Sequence, residues 1–179
     1  YFLKVTRYTA KLTEMIEKDE FVIRPQTRRN EVLSMLRQGY NDISVSRANQ
    51  SWGIDFPVDK THKVYVWFDA LINYLTSAGF ATDDERFAKW WPADTHMIGK
   101  DIIKFHCIIW PVMLMSAGLP LPKQVYAHGF LLNKGEKMSK TKGNVVDPFD
   151  MVRKFGADPV RYYFAAKIVN GEDGDLNEE

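Results

Sequence analysis

Cysteine is nearly absent from this chain, because Cys107 is the only one among 179 residues. A single cysteine excludes an internal disulfide, and four scattered histidines without a CxxC pair give no recognisable zinc site. Excess charge is absent too, since 24 basic and 23 acidic residues leave a net charge of +1. No overall field therefore attracts the chain to DNA or to a membrane, and any anion site must be local.

Long hydrophobic runs are also missing. The longest apolar stretch, CIIWPVMLM, contains Pro111 and is far shorter than the roughly 20 residues that span a bilayer. The first residues, YFLKVTRYTAKL, have neither a signal-peptide core nor an initiator methionine. We expect no membrane partner, and we expect the chain to be a piece of a longer protein at its front end.

Periodic apolar patterning is abundant, and 45% of the residues are hydrophobic. Helical spacing predicts helices at residues 1–18, 27–38, 70–79, 101–116, 147–156 and 158–168. Strand patterns lie at residues 42–47, 63–68, 95–99 and 124–132. The acidic tail GEDGDLNEE has no apolar pattern and is expected to be frayed.

Local signals predict where the helices begin and bend. Asp69 follows the strand KVYVWF and is expected to cap the next helix, while Pro111 is expected to kink or end the helix that contains it. The last two helices are expected to start at the Asp-Pro pairs formed by Asp147 and Asp158 with the prolines after them. Alternating strands and helices predict an α/β fold with a parallel sheet and crossover helices.

Ligands bind such sheets at the carboxyl ends of the strands, which here carry WFDALINY, GKD, HGFLL and the lysine-rich GEKMSKTKGN. Gly99 at a strand end allows close approach of a ligand, and Asp101 can accept hydrogen bonds from a diol such as ribose. Ile102, His106 and Trp110 are spaced to share one helix face, which for a lone stripe is more often a core than a site. The fragment HMIG lacks the second histidine of an HxGH motif, so we assign it no function.

Two further segments allow both a purely structural and a functional interpretation. Trp67, Ala70, Leu71 and Tyr74 suit an apolar pocket with the Tyr74 hydroxyl as a polar group, although core packing is the default for each alone. GEKMSKTKGN is typical either of a solvated turn or of a mobile loop that holds phosphates. The joint, ordered occurrence of VWFDA, GKDIIKFH, HGFLL, KMSKT and GADPVRYY favours the functional interpretation.

That ordered set resembles the methionyl-tRNA synthetases, class I aminoacyl-tRNA synthetases of the bacterial or organellar type, from residue 1 to about residue 168. KMSKT resembles the family's KMSKS signature, with Thr141 in place of the last serine. The resemblance implies the second half of a Rossmann-like catalytic domain. The resemblance also implies three parts of the chain. Residues 1–40 would be the end of a connective insertion with linking helices, and residues 41–146 the second half of the catalytic domain with its KMSKT loop. Residues 147–179 would be the start of a stem-contact region with a truncated tail.

The family's functional residues transfer onto matching positions of this chain. The resemblance places a methionine pocket at Trp67, Ala70, Leu71, Tyr74, Ile102, His106 and Trp110. It places ATP-binding residues at Gly99, Asp101, His128, Gly129, Leu131, Lys137, Met138, Ser139 and Lys140. Lys137 and Lys140 would contact the phosphates as the catalytic cations, and Arg47 and Asp69 would support the site. Leu71 departs from the family, where many relatives have proline.

The resemblance also implies a reaction, in which methionine is activated with ATP and Mg²⁺ and transferred to tRNA(Met). No zinc is expected in this chain, and the expected cellular location is the cytoplasm or an organellar matrix. The family's HIGH signature is absent from the sequence, so we expect the isolated chain to be inactive or very weak. This departure leaves two alternatives open, a non-catalytic binding or scaffold module derived from a synthetase and a fragment of another class I synthetase. A missing N-terminal half is a possible partner.

Overall fold

The computed structural model describes residues 1–176. The α-helices are α1 (Thr9–Glu17), α2 (Gln26–Arg37), α3 (Val66–Ala78), α4 (Asp84–Trp90), α5 (Trp110–Ser116), α6 (Pro148–Phe155) and α7 (Ala157–Lys167). The strands are β1 (Phe2–Leu3), β2 (Val22–Arg24), β3 (Ile43–Ser44), β4 (Ser46–Ala48), β5 (Asp55–Phe56), β6 (Asp59–Val64), β7 (Thr95–Gly99), β8 (Gln124–His128), β9 (Leu131–Asn133), β10 (Glu136–Lys137) and β11 (Gly174–Leu176).

A parallel sheet of three strands, in the order β2-β8-β7, forms the centre of the fold. Its apolar side chains join those of α1 and α2 in one core cluster, and the segment that precedes α5 packs against the same cluster. A second cluster unites α3, Trp91 and α5. The predicted α/β class with a parallel sheet and helices is confirmed.

One predicted strand differs from the structure in place and in partner. The segment KVYVWF was expected to be a single strand of the parallel sheet. Instead β6 ends at Val64 and lies antiparallel between β4 and β5 in a separate sheet. Helix α3 then begins at Val66, so that Trp67 and Asp69 are helical. The apolar run VYVWF does not distinguish a strand from a buried helix start, because it has no polar residue to set its period.

The start of α3 also corrects the predicted cap. Tyr65 is the N-cap residue, and Asp69 lies in the first turn, where its charge favours the positive end of the helix dipole without a capping hydrogen bond. At the other predicted starts, the carboxylate of Asp147 does accept a hydrogen bond from the Phe149 N–H at 2.8 Å. Helix α7 instead begins at Ala157, so that Asp158 belongs to its first turn.

The segment around Pro111 changes helix type. A 3₁₀ turn at Lys100–Ile102 is followed by a wide π-helical stretch, Phe105–Ile109, and then by α5. Proline has no N–H to donate to the carbonyl four residues earlier, and the helix widens just before it. The predicted disturbance is therefore present, in the form of a π-helical segment rather than a sharp kink.

Both ends of the chain depart from expectation. The first predicted helix is shorter, because strand β1 and a 3₁₀ turn at Val5–Arg7 precede α1. The acidic tail, expected to be frayed, forms β11, which pairs in parallel with β9. Asp173 anchors it by an ion pair with Lys100 at 2.7 Å. Residues 177–179, the end of that predicted tail, lie outside the described residues.

Candidate active site

The carboxyl ends of β7 and β8 bring three predicted nucleotide-binding residues together. Gly99 is paired directly with His128 in the parallel ladder. A Cβ atom on Gly99 would lie 2.7 Å from Oδ1 of Asp101 and 3.8 Å from Cε1 of His128. A side chain at position 99 would therefore push the Asp101 carboxylate aside, and glycine lets that carboxylate lie beside the strand end. The exposed Asp101 carboxylate leaves an acceptor at this edge for a hydroxyl-bearing ligand.

Gly129, a predicted ATP-binding residue, packs closely against the tail of the chain. A Cβ atom there would lie 2.0 Å from the carbonyl oxygen of Glu172, so this glycine makes room for the tail segment before β11. His128 donates from Nδ1 to the Gly129 carbonyl at 2.8 Å, which leaves its Nε2 as an acceptor when the ring is neutral. Leu131 begins β9 and is 36% exposed.

Tyr74 and His106 form the polar centre of the predicted apolar pocket. The Tyr74 hydroxyl and Nε2 of His106 are 2.9 Å apart, and Nδ1 of His106 lies 3.1 Å from the carbonyl oxygen of Ile102. A carbonyl only accepts, so Nδ1 carries the proton and Nε2 of the neutral ring accepts from Tyr74. Burial lowers the pKa of His106 and raises the pKa of Tyr74, which favours this neutral pair.

This arrangement changes one sequence-based expectation. The Tyr74 hydroxyl was expected to be the polar group of the pocket, a position from which it could donate a weak hydrogen bond to a methionine sulfur. In the structure its single proton is donated to His106. The hydroxyl oxygen keeps only its acceptor capacity toward the pocket, and a thioether sulfur donates nothing.

Aromatic and aliphatic side chains surround that hydrogen bond. Trp110 is fully buried with its ring centroid 6.0 Å from that of Tyr74, and Leu71 is 1% exposed in the same cluster. Trp67 is only partly buried and stacks on Phe105 with ring centroids 4.0 Å apart. The structure thus collects Trp67, Leu71, Tyr74, Ile102, His106 and Trp110. Ala70 differs, because it is exposed.

His96 belongs to this cluster as well, although no motif in the sequence points to it. It is 5% exposed, and its ring meets the Tyr74 ring edge-on at a centroid distance of 4.2 Å. Its Nε2 has no hydrogen-bond partner, and burial beside His106 lowers the pKa of His96 to about 4. The sequence signal for the burial of His96 is the alternation of side chains along a strand, which places His96 and Ile98 on the buried face of β7.

The lysine loop extends from the β9–β10 hairpin, whose turn residues Lys134 and Gly135 both have positive φ. Asn144 organises the loop. Its side chain accepts from the Ser139 N–H at 2.8 Å and donates to the Lys137 carbonyl at 3.3 Å. The loop backbone is therefore held by its own asparagine, which no sequence motif had singled out.

Met138 and the loop cations differ in their contacts. Sδ of the half-buried Met138 accepts from the Val146 N–H at 3.4 Å, so this residue supports the loop from within. The Lys137 ammonium lies 3.9 Å from the ring centroid of Phe130, and Lys142 pairs with Glu136 at 3.1 Å. Among the described residues, no carboxylate lies within 4.0 Å of the exposed Lys140 ammonium.

Two support residues predicted from the sequence lie apart from these contacts. The guanidinium of Arg47 stacks on Tyr65 at 3.9 Å and donates to the carbonyls of Ser44 and Ser46 at 3.3 and 3.1 Å. Asp69 is exposed on α3. Neither has a hydrogen bond to the strand-end residues or to the loop within residues 1–176.

Residues 1–176 contain neither a metal-ligand cluster nor a membrane-spanning helix. No group of three or more His, Cys, Asp or Glu side chains is arranged to hold a metal ion in that part of the chain. Over residues 1–176, none of the helices has the length and apolar character needed to span a membrane.

Comparison with known proteins identifies close relatives. The family model described as tRNA synthetases class I (M) matches residues 1–179. A methionine--tRNA ligase of Rhizobium meliloti is 54% identical over 180 residues, which is all of this chain and 35% of the relative. A methionine--tRNA ligase of Clostridium acetobutylicum is 51% identical over 181 residues, again all of this chain and 28% of the relative. The chain therefore spans only about a third of the length of these curated relatives.

Solved structures give the same relationship. A Mycobacterium tuberculosis methionyl-tRNA synthetase bound by methionyl-adenylate superposes with a TM-score of 0.91 at 48% identity, over 99% of this chain and 35% of the other. The apo form from the same organism gives a TM-score of 0.88 at 45% identity. All of these matches are of the methionine type, which decides against a fragment of a different class I synthetase.

Proposed function

Because the chain belongs to the class I methionyl-tRNA synthetases, we propose that it supplies the amino-acid pocket and the phosphate loop of a methionine--tRNA ligase. The proposed reaction joins the methionine carboxylate to the α-phosphate of ATP. An O–P bond forms between the carboxylate and the α-phosphorus, the bond from the α-phosphorus to the oxygen that bridges to the β-phosphate breaks, and pyrophosphate leaves. Mg²⁺, when bound, would offset the negative charge of the phosphates. The methionyl group then passes from the adenylate to tRNA(Met).

The observation that carries the proposal is the convergence of Gly99, Asp101 and His128 at one sheet edge. A ribose fits there because Gly99 leaves its backbone open and Asp101 offers a carboxylate to paired hydroxyls. The relative bound by methionyl-adenylate, a ligand with a ribose and a methionyl group, supports this placement.

The amino-acid side chain is proposed to lie beside Trp67 and over the Tyr74–His106 hydrogen bond. A thioether contacts aromatic rings favourably and needs no donor from the protein. Since the Tyr74 proton is already shared with His106, we propose that aromatic contact and shape select methionine more than a hydrogen bond to its sulfur does. One methylene in such a pocket is worth only about 1–3 kcal/mol of discrimination.

The phosphates are proposed to bind near the exposed Lys140 and near Lys137. A lysine suits this role as a flexible point charge, and a loop that begins with a positive-φ turn can close on the phosphates and reopen. The negative charge that develops during transfer needs electrostatic stabilisation rather than a covalent nucleophile. Burial raises the pKa of the Cys107 thiol, so that side chain remains an inert core residue.

We further propose that the chain corresponds to the KMSKT-bearing second half of the catalytic domain, with residues 147–179 at the start of a stem-contact region. The order of the motifs and the absence of a HIGH signature from the sequence support this placement. The remaining groups, including any that hold the substrate's amino group, would come from other parts of the full-length protein. Its proposed location is the cytoplasm or an organellar matrix.

Amino-acid-dependent exchange of pyrophosphate into ATP by the full-length protein tests this function. We expect exchange with methionine and little with leucine, isoleucine or valine. Exchange that is absent, or that depends on another amino acid, would refute the proposal. A folded protein that binds neither methionine nor ATP in calorimetry would instead support the scaffold alternative.

A further inference from the structure

Two lysines from different motifs share one aromatic ring. The ammonium of Lys137, in the loop, lies 3.9 Å from the ring centroid of Phe130, and that of Lys100, in the GKD segment, lies 4.7 Å from it. Both distances are within the roughly 6 Å over which a cation is attracted to the electron-rich face of a ring. Phe130 therefore joins the two cationic segments of the candidate nucleotide site.

The backbone around that ring is held from both sides. The Phe130 N–H donates to Oδ1 of Asp173 at 2.8 Å, and its carbonyl accepts from the Gly174 N–H at 2.9 Å. The preceding Gly129 packs so closely on the tail that a Cβ atom would lie 2.0 Å from the Glu172 carbonyl oxygen. The backbone that carries the half-buried ring is thus held in place where the chain leaves the sheet for the loop.

The partners of the neighbouring lysines differ from those of Lys137. Lys100 is neutralised by Asp173 at 2.7 Å, and Lys142 by Glu136 at 3.1 Å. Within residues 1–176, Lys137 has no carboxylate within 4.0 Å, so the ring of Phe130 is the contact that orients its ammonium. We propose that Phe130 is a positioning residue that holds Lys137 for the phosphates of ATP.

An aromatic ring suits this task better than a carboxylate does. A carboxylate would orient the ammonium but also cancel its charge, which would weaken its attraction for phosphate. The ring attracts the ammonium through its quadrupole and carries no net charge, so Lys137 keeps its full positive charge for the anion. This proposal rests on the proposed function, since it assigns the held charge to the phosphates of ATP.

Progressive fluorination of Phe130 in the full-length protein tests the proposal. Fluorine withdraws electron density from the ring face and leaves its shape nearly unchanged. Each added fluorine is expected to lower kcat/KM for ATP in pyrophosphate exchange. Phe130→Leu, which removes the ring altogether, is expected to lower kcat/KM for ATP by about three- to thirtyfold. KM for methionine is expected to remain unchanged, and Phe130→Tyr is expected to retain the rate. A purely structural role would not follow ring electron density.

Two controls separate this effect from a packing defect. Phe149 is 69% exposed on α6, and the same fluorinated residues placed there are expected to leave the exchange rate unchanged. In a double-mutant cycle, Phe130→Leu is expected to cost nothing further once Lys137→Met has removed the cation. A flat fluorination series with normal wild-type exchange, or full additivity in the cycle, would overturn this proposal and leave the proposed function intact.

A second readout does not depend on activity. After reductive ¹³C-methylation, which keeps the charge, the Lys137 methyl resonance is expected to be shifted upfield by the ring and to lose that shift in Phe130→Leu. Lys142, which pairs with Glu136 instead, is expected to keep its resonance in both proteins. An unshifted Lys137 signal in the wild type would overturn the placement of Lys137 on the ring even if the protein activates no amino acid.

Discussion

At the scale of single residues, the Tyr74–His106 hydrogen bond determines which groups face the amino-acid pocket. The Ile102 carbonyl fixes the histidine tautomer, and the tautomer fixes the direction of the Tyr74 hydroxyl. The pocket therefore presents ring faces and an acceptor oxygen. Such a surface accommodates an uncharged thioether. It disfavours side chains with a carbonyl or a carboxylate, because their oxygens need a hydrogen-bond donor that the Tyr74 hydroxyl does not supply.

Replacing Tyr74 with phenylalanine removes the partner of a buried histidine nitrogen. Leaving Nε2 of His106 unsatisfied costs about 1–3 kcal/mol of stability, and a His106 ring without Tyr74 loses the bond that holds its position in the pocket. Because the pocket then loses its shape, we expect Tyr74→Phe to raise KM for methionine by about tenfold. KM for ATP should stay within about twofold of the wild-type value. Steady-state pyrophosphate exchange measures both constants. Tyr162→Phe, at a residue 73% exposed, is the matched control, and an equal rise in both KM values would contradict this assignment.

The lowered pKa of His96 predicts that the folded protein loses stability in acid. Its pKa is lowered from 6.5 to about 4 in the folded protein, so the unfolded chain binds a proton first as the pH falls below 6.5. The free energy of unfolding should then decrease between pH 6.5 and pH 4, by about 2 kcal/mol at pH 5 from this group. Urea unfolding followed by tryptophan fluorescence at pH 7.5 and pH 5 measures the decrease. In His96→Phe it should be smaller by that amount, and an unchanged decrease would contradict the prediction.

The residues predicted from the sequence belong to local motifs, whereas the residues that were missed make contacts with distant parts of the chain. Trp67, Tyr74 and His106 belong to a motif whose side-chain types suit a thioether. His96 and Phe130 act through neighbours that are distant in sequence, Tyr74 for the first and two lysines for the second. No local pattern encodes such a contact, so it becomes visible only when the chain is folded.

At the scale of elements, the sequence predicted β7 with its correct bounds and placed β8 within a longer predicted strand, because both have short β-branched or aromatic patterns. It misplaced the boundary between β6 and α3, since VYVWF has no polar residue to set its period. It also missed the strand in the tail, where GDL has little apolar character. Pairing with β9 and the ion pair of Asp173 stabilise that strand instead.

The loop element predicts unequal roles for its lysines. Lys140 is exposed and is proposed to contact the phosphates of ATP, so Lys140→Ala in the full-length protein should lower kcat for methionine activation by about tenfold to a thousandfold. KM for methionine should change little, because the charge acts on phosphate in the transition state. Lys142→Ala, at a lysine paired with Glu136, should lower kcat much less. A raised methionine KM with an unchanged kcat for Lys140→Ala would contradict this.

Asn144 gives the loop its resting shape through bonds to Ser139 and Lys137. Asn144→Ala should loosen the loop, because two backbone groups lose their partner at a cost of about 1 kcal/mol each. Hydrogen exchange of the amides at 137–144 should then be faster by about tenfold or more, while the amides of β8 remain protected. Unchanged exchange in the loop would show that Asn144 does not hold it.

At the scale of the whole molecule, the tail segment joins the two ends of the candidate site. Asp173 bonds both to Lys100, which lies between Gly99 and Asp101 in the chain, and to the backbone of Phe130 at the base of the loop. Asp175 accepts from the Gly135 N–H at 2.8 Å in the turn that begins the loop. The geometry of the sheet edge therefore depends on residues that come after both motifs in the chain.

Gly129→Ala tests that dependence. The added methyl group would meet the Glu172 carbonyl 2.0 Å away, and such overpacking against backbone costs about 1–3 kcal/mol. We expect the tail to be displaced, with faster proteolysis near residues 170–176 and a lower rate of adenylate formation. Limited proteolysis with mass spectrometry measures the first effect, and a proteolysis pattern equal to that of the wild type would contradict the packing described here.

One sheet edge, one aromatic pocket and one lysine loop are together proposed to bind a methionyl group joined to adenosine. The most direct measurement is a crystal structure of the full-length protein with a hydrolysis-resistant methionyl-adenylate analogue. We predict the ribose at Gly99 and Asp101 and the thioether against Trp67 and the Tyr74–His106 pair. An analogue bound elsewhere, or a methionyl group that contacts neither Trp67 nor Tyr74, would contradict the account.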